Sequence, residues 1–410
     1  MKRRLILMVV LIMVSAASRA QDVPVATGPT ELPVSGTLHY SLNYTQTAQF
    51  YNRAGGDVQR SGVTGEVTYA NASAIRPFAL TYSGGDMWAI SGANGETGIY
   101  QHLLASQGYV RRSWAINLSD NVSYTPQAPT TGFSGIPGVG NLPASPGEPA
   151  QPILTLNTVS IYNMVSSNFR HSLDHATSLG ISGSYGILRF PDGNGLETNS
   201  LQVGPQITRR LNARNSLTGQ YAFSRFSYTE STITIETQSA LLGYKRTWSR
   251  RLITSASAGP EWVHSSASNT IPASTDLTVF ASASYNARSM TATLSYSQAA
   301  SGGAGVATQI GVRNKDATVG LTRQQGKNLN ISVTGGYMRT EGLLQAGVTN
   351  GKIGEVSASR RWGRYIVSSA NYTATQQSSS SALPANAISG LSQVVGFSIG
   401  YSPLGKRFRK

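Results

Sequence analysis

The feature that most restricts this chain is a period-two alternation of apolar and small polar residues, repeated along most of its length. In the first run Val34, Leu38, Tyr40, Leu42 and Tyr44 share one face, while Thr37, His39, Ser41, Asn43 and Thr45 take the other. The pattern returns at Trp114, Ile116, Leu118, Val122 and Tyr124, and at Leu179, Ile181, Tyr185 and Ile187. Later runs are Leu277, Val279, Ala281, Ala283 and Tyr285, then Leu329, Ile331, Val333 and Tyr337, and last Val395, Phe397, Ile399 and Tyr401. Successive side chains of a strand point to opposite faces, so each run reads as a β-strand with one apolar face. No helical stripe accompanies these runs.

A longer repeat joins the strands into hairpins. Ile207–Arg214, Tyr244–Arg251, Leu321–Lys327 and Ser359–Arg364 are short, polar, basic segments, with Tyr285–Arg288 a weaker member. Their starts lie 37, 41, 36 and 38 residues apart, which is two strands, one short turn and one longer loop per repeat. Carrying the period backward finds turns near Asn71–Arg76, Val110–Ser113 and Phe169–His175. Eight short turns and a strand at each end give eighteen strands, with sixteen acceptable. The expected fold is all-β, a closed antiparallel up-and-down transmembrane β-barrel spanning 34–402.

Composition agrees with alternation across a membrane wall. Charged residues are only 12% and glycines number 43, yet no stretch beyond the first twenty residues is apolar enough for a spanning helix. Lipid-facing apolar residues interleaved with small polar inward ones give this balance. A soluble β-propeller or sandwich is the structural alternative.

Residues 1–20 read as an export signal. Lys2, Arg3 and Arg4 precede an apolar run from Leu5 to Val14, and Ser18-Arg19-Ala20 supplies small residues for cleavage. Residues 21–33 form a short periplasmic segment and 403–410 a basic tail. The absence of cysteine excludes disulfides, lipid attachment through a thiol and thiolate metal sites. The loop at 126–152 holds seven of the seventeen prolines, so it must leave the wall, either as a surface loop or folded over the mouth.

Charge is segregated. The short turns and the tail hold 21 of the 29 bases beyond the signal, with Asp174 the one acid among them. A periplasmic basic rim of Arg111, Arg112, Arg209, Arg210, Arg246, Arg250, Arg251, Arg323, Arg360, Arg361 and Arg364 is expected to face anionic inner-leaflet headgroups. One cluster per turn around a ring speaks against nucleic acid as the partner. Trp114, Trp248 and Trp362 lie in or beside short turns, where amphipathic rings would form an interfacial girdle with the lipids. Asp120 and Glu66 read as inward charges that line a lumen or pair with neighbouring strands.

At the C-terminus Gly396-Phe-Ser-Ile399-Gly-Tyr401 resembles the last-strand signal read by the outer-membrane assembly machinery. Nine residues follow it, whereas that signal usually ends on the aromatic. The whole chain resembles porin-like bacterial outer-membrane β-barrels, some of which accompany exopolysaccharide export. Within it, Trp114–Tyr124 leading into Gly135–Gly138 looks most like that export group. The resemblance implies a barrel in a bacterial outer membrane and carries over no catalytic residue.

No constellation for chemistry stands out. Gly180-Ile-Ser-Gly183 lacks the register and the following helix of a nucleophile elbow. His171-Ser-Leu-Asp174-His175 has helical metal-ligand spacing but falls across a strand turn. No cofactor or metal is expected, and an enzyme is not. The reading is a passive channel for small hydrophilic solutes with mild anion preference; the alternative is a barrel serving surface-polysaccharide export or envelope structure.

Overall fold

The computed structural model describes residues 37–403 apart from 52–56, 72, 92–97, 126–158, 192, 194–195, 230, 267–272, 302–309, 327, 344–346 and 381–389, together with 406–407. The export signal, the 21–33 segment, residues 34–36 at the expected start of the barrel, including Val34, and the 126–152 loop with 153–158 lie outside the described residues. So do residues 404–405 and 408–410 of the tail.

Eighteen long strands follow one another. They are β1 (Thr37–Tyr51), β2 (Val58–Asn71), β3 (Phe78–Ser91), β4 (Gly98–Val110), β5 (Trp114–Thr125) and β6 (Ser160–Ser172). Next come β7 (Thr177–Arg189), β8 (Thr198–Arg210), β9 (Asn215–Tyr228), β10 (Thr234–Thr247), β11 (Leu252–Ser265) and β12 (Ser274–Asn286). The last are β13 (Met290–Ser301), β14 (Val312–Gln325), β15 (Leu329–Gly342), β16 (Val348–Trp362), β17 (Ile366–Ser379) and β18 (Gly390–Tyr401).

Each strand pairs antiparallel with the next, and β18 returns to β1, from Leu42 opposite Tyr401 to Tyr51 opposite Ser392. The wall is therefore closed and has no free edge, which lets a sheet satisfy its backbone in lipid. The eighteen-strand expectation holds. One element was not expected: β19 (Lys406–Arg407) pairs with Leu38 and Thr37, so part of the tail extends the closing seam.

The eight short turns fall at or beside the expected places, and most are narrower. Ile207–Arg210 and Tyr244–Thr247 belong to β8 and β10, leaving 211–214 and 248–251 as turns. A side chain at the second turn position makes such a tight reversal possible. The Asn212 amide oxygen accepts from the N–H groups of Arg214 and Asn215 at 2.9 and 3.0 Å. Ser249 Oγ does the same for Arg251 and Leu252, both at 3.1 Å, and Asp174 for Ala176 and Thr177. Short polar side chains that bond the backbone two or three residues on are the physical reason Asp, Asn and Ser recur in turns.

The alternation sorts the wall into two faces. Exposed apolar residues such as Leu42, Val67, Ile181, Val203, Leu242, Leu294, Val319, Val333, Val356 and Phe397 all point outward. The opposite parity is small and polar and points inward. In a water-soluble sheet these apolar groups would seek a core; here they form the outer surface.

The outer face is banded. At the turn end, Arg246 lies 3.8 Å over the Trp248 ring and Arg360 lies 4.0 Å over that of Trp362. Each indole N–H donates six residues ahead, Trp248 to Thr254 Oγ1 at 3.0 Å and Trp362 to Ser368 Oγ at 2.8 Å. Toward the loop end a second aromatic ring appears, in which tyrosine hydroxyls bond outward carboxamides. The pairs are Tyr221–Gln238 at 2.9 Å, Tyr296–Gln298 at 3.1 Å, Tyr337–Asn350 at 3.0 Å and Tyr372–Gln393 at 2.7 Å. These tyrosines stand six to eight residues along their strands from the turn end. At roughly 3.3 Å rise and a tilt near 40°, that is about 15–20 Å of wall, in keeping with an apolar band between two girdles.

Candidate functional site: the lumen and its two mouths

Inward residues determine what the barrel can pass or bind. In the half nearer the short turns, directly opposed positions on neighbouring strands form hydroxyl pairs. Ser119 meets Ser166 at 2.6 Å, Thr208 meets Thr218 at 3.1 Å and Ser255 meets Ser282 at 2.7 Å. Ser332–Ser357 and Ser369–Ser398 follow at 2.6 Å each, and Thr68–Thr81 at 3.3 Å. These pairs give a lining that is polar, uncharged and wettable. Period-two alternation made it legible from sequence.

The half nearer the longer loops differs. There two groups of large inward side chains are packed among smaller polar ones. Tyr162, Met164, Leu188 and Phe190 form one buried cluster, and Phe226, Tyr228, Ile235 and Val263 form another. Against the second pack Leu196, Ile233, Ile310 and Leu343, all from outside the strands, so these residues turn into the lumen. The Gly311 N–H donates to Tyr228 Oη at 3.0 Å, and the Leu343 N–H to the Gly311 carbonyl at 2.9 Å. Gly311 has φ +71°, a left-handed conformation that favours glycine, and a Cβ there would strike Ile235 Cδ1. The inward packing of these four residues was not foreseen, because residues between strands carry no alternation that reports where they dock.

Charge in the lumen is also uneven, and one base, Arg60, points inward at the loop end, where it donates to Gln49 at 3.1 Å. At the turn-end mouth Arg170, Arg210, Lys245 and Arg361 point inward. Further in stand Glu66, Glu261, Asp276, Asp316 and Glu355. Most of these acids have local partners. Thr68 Oγ1 donates to Glu66 at 3.0 Å, the Ala300 N–H to Glu261 at 3.0 Å and Ser297 Oγ to Asp316 at 3.3 Å, while Asp276 pairs with Arg313.

The expected basic rim is assembled at one end. Arg111, Arg112, Arg250, Arg251 and Arg364 sit in turns; Arg209, Arg246, Arg323 and Arg360 point outward; Arg210 and Arg361 point inward. All are exposed except half-buried Arg361, whose guanidinium donates to the Ser402 carbonyl at 2.8 Å. Every ion pair among the described residues lies at the loop end, so the rim bases have no carboxylate partners there.

Asp120 is a correction. Its parity is that of Leu118 and Val122, which places it on the outward face opposite Val165 and not in the lumen. Its carboxylate accepts from the Asn163 side chain at 2.8 Å and is almost fully buried among neighbours. A hydrogen-bonded, covered carboxylate is tolerated on that face where a bare one would not be. Glu66 is inward, as expected.

Trp114 opens β5, Trp248 lies in a turn and Trp362 ends β16, so all three stand at the turn end. Gly396, Ile399 and Tyr401 lie on β18 against β1, with Tyr401 stacked on Tyr365 at 5.8 Å and beside Tyr40 at 6.2 Å. His171 and His175 gather no metal-ligand set, and no group of three or more His, Asp or Glu close enough to hold an ion occurs among the described residues.

A closed eighteen-strand antiparallel wall, apolar outside between aromatic girdles and polar inside, defines a transmembrane β-barrel of the bacterial outer-membrane type. No family model and no curated protein sequence matches the chain. Among solved structures it is similar to OccK9 (OpdG) of Pseudomonas aeruginosa, at 9% identity and TM-score 0.46 over 90% of this chain and 98% of that one. Likewise similar are OccAB3 of Acinetobacter baumannii (10% identity, TM-score 0.44, 90% and 99% covered) and OccK2 (OpdF) of Pseudomonas aeruginosa, the latter solved in complex with glucuronate (9%, 0.46, 89% and 98%). The chemistry of this lumen has to be read from its own residues.

Proposed function

We propose that the barrel is an outer-membrane channel for small hydrophilic solutes, narrowed at its loop end and mildly anion-selective at its turn-end mouth. The observation that carries the reading is the ring of inward hydroxyl pairs leading to four inward bases without carboxylate partners. Hydroxyls replace water around a passing solute with little chemical discrimination. Unpaired bases at the mouth raise the local concentration of anions, an effect that salt screens over roughly 8–10 Å. The short turns face the periplasm in this reading, as in single-chain barrels with both termini on that side.

The inner acids oppose the bases, with Asp276 offset by Arg313 within the wall, and the mouth is the part of the path where only bases stand. Reversal potentials in a salt gradient across planar bilayers test this. Anion preference is expected, reduced by Arg170→Gln, Arg210→Gln and Lys245→Gln together. Cation preference in the unmodified protein would overturn it.

The girdle tryptophans and outward rim bases are assigned to membrane lipids, and Gly396, Ile399 and Tyr401 to the assembly machinery. A polysaccharide-export role would require the Ile310–Leu343 packing to leave the lumen. Loss of surface polymer on deletion of the gene, with solute uptake unchanged, would favour that alternative.

A further inference from the structure

We propose that the outward face of β14–β16 at the loop end binds the phosphate-bearing headgroup of an outer-leaflet glycolipid, through Lys315, Arg339 and Lys352. Lys315 and Arg339 lie directly opposite each other across the β14–β15 ladder, and Lys352 is opposite Tyr337, two residues before Arg339. Like charges at directly opposed positions destabilise a sheet. One carboxylate bridges them: Glu341 accepts from Arg339 Nε at 2.7 Å and meets Lys315 Nζ at 3.5 Å. That leaves three bases against one acid.

The height of the cluster identifies its partner. Tyr337 belongs to the tyrosine–carboxamide ring that marks the loop-end membrane interface, and the three bases sit level with that ring or just beyond it. Their side chains leave the wall toward lipid, not toward the lumen. Lys315 and Arg339 retain 34% and 44% of their side-chain exposure even after contact with Glu341. Among the described residues elsewhere at this end the outward bases are matched, Arg189 by Glu197 and Arg225 by Glu236, and Arg313 is turned to Asp276. The β14–β16 sector thus carries a net positive patch at headgroup depth. A phosphate is the anion that such a site meets there, and long basic side chains above an apolar band present their charge at that depth.

The proposal rests on the outer-membrane placement and is independent of what the lumen conducts. Its test is native mass spectrometry of the full-length protein in micelles containing bisphosphorylated lipid A, the same lipid dephosphorylated, or inorganic phosphate. The unmodified protein should retain the phosphorylated lipid alone, and inorganic phosphate should not displace it. At roughly fivefold per base near an anionic surface, the Lys315→Gln, Arg339→Gln, Lys352→Gln variant should bind about a hundredfold more weakly. Glu341→Gln should bind more tightly. Lys352→Gln alone, which breaks no ion pair, should lose about fivefold and serves if the triple variant does not fold.

Equal retention by unmodified and substituted protein overturns the proposal, as does equal retention of phosphorylated and dephosphorylated lipid. Displacement by inorganic phosphate would mark a simple anion site and overturn the lipid assignment. Single-channel conductance of Lys352→Gln should match the unmodified protein, which separates failure of this site from failure of the channel reading.

Discussion

Gly311 is the position at which one methyl group should open the lumen. It combines a left-handed φ of +71° with contact between its backbone N–H and Tyr228. Alanine there meets two costs. Left-handed backbone disfavours a residue with a Cβ by about 1–2 kcal/mol. The new Cβ also overlaps Ile235 Cδ1 and comes within 3.0 Å of Leu343 Cδ1, and overpacking of this kind costs about 1–3 kcal/mol. Together they favour release of the inturned Ile310 and Gly311 by about 2–5 kcal/mol, roughly thirtyfold or more in the equilibrium. Single-channel recording should show larger conductance or longer open periods for Gly311→Ala. Ile235→Val deletes Cδ1, so in that background the alanine should cost less, the backbone part of about 1–2 kcal/mol plus the remaining contact with Leu343. Unchanged conductance in Gly311→Ala, or an equal effect of the alanine in both backgrounds, would refute the packing argument.

Trp362→Ala removes an indole hydrogen bond and the stacked Arg360, and should destabilise the barrel by about 1–2 kcal/mol in urea unfolding from lipid, with Trp248→Ala similar. Asp174 accepts the backbone N–H groups of Ala176 and Thr177, which holds its carboxyl below the ordinary carboxylate range. A depressed native value means stability present above the unfolded-state value and lost as pH falls through the native one. Asp174→Asn should therefore flatten the acid limb of a pH–stability curve, and an unchanged limb would refute the turn's role. Tyr401→Ala removes the ring stacked on Tyr365 and should lower the yield of heat-modifiable barrel in cells, with less effect on refolding in detergent.

The wall was legible because its determinants are local. Alternation, turn chemistry and the 38-residue hairpin period each act within one strand or between neighbours, so Asn212 and Ser249 announce their turns in the sequence. Gly311 and Tyr228 are 83 positions apart, and no local pattern ties them. The same holds for Leu343 against Ile235. Asp120 is a different case. Its parity with Leu118 and Val122 already assigned it outward, but the partner that makes this tolerable, Asn163, lies beyond the 126–152 loop.

Alternation also explains how one basic end can serve two environments. Adjacent residues of a strand face opposite sides, so a basic doublet at a strand end is split by the wall. Arg209 points outward and Arg210 to the lumen; Arg246 and Lys245 divide likewise, as do Arg360 and Arg361. Neutralising the outward members should weaken lipid attachment and leave ion selectivity in place. Neutralising the inward members should do the reverse. The doublets thus make interfacial anchoring and mouth electrostatics separable by substitutions one residue apart, which a single ring of bases on either face would not allow.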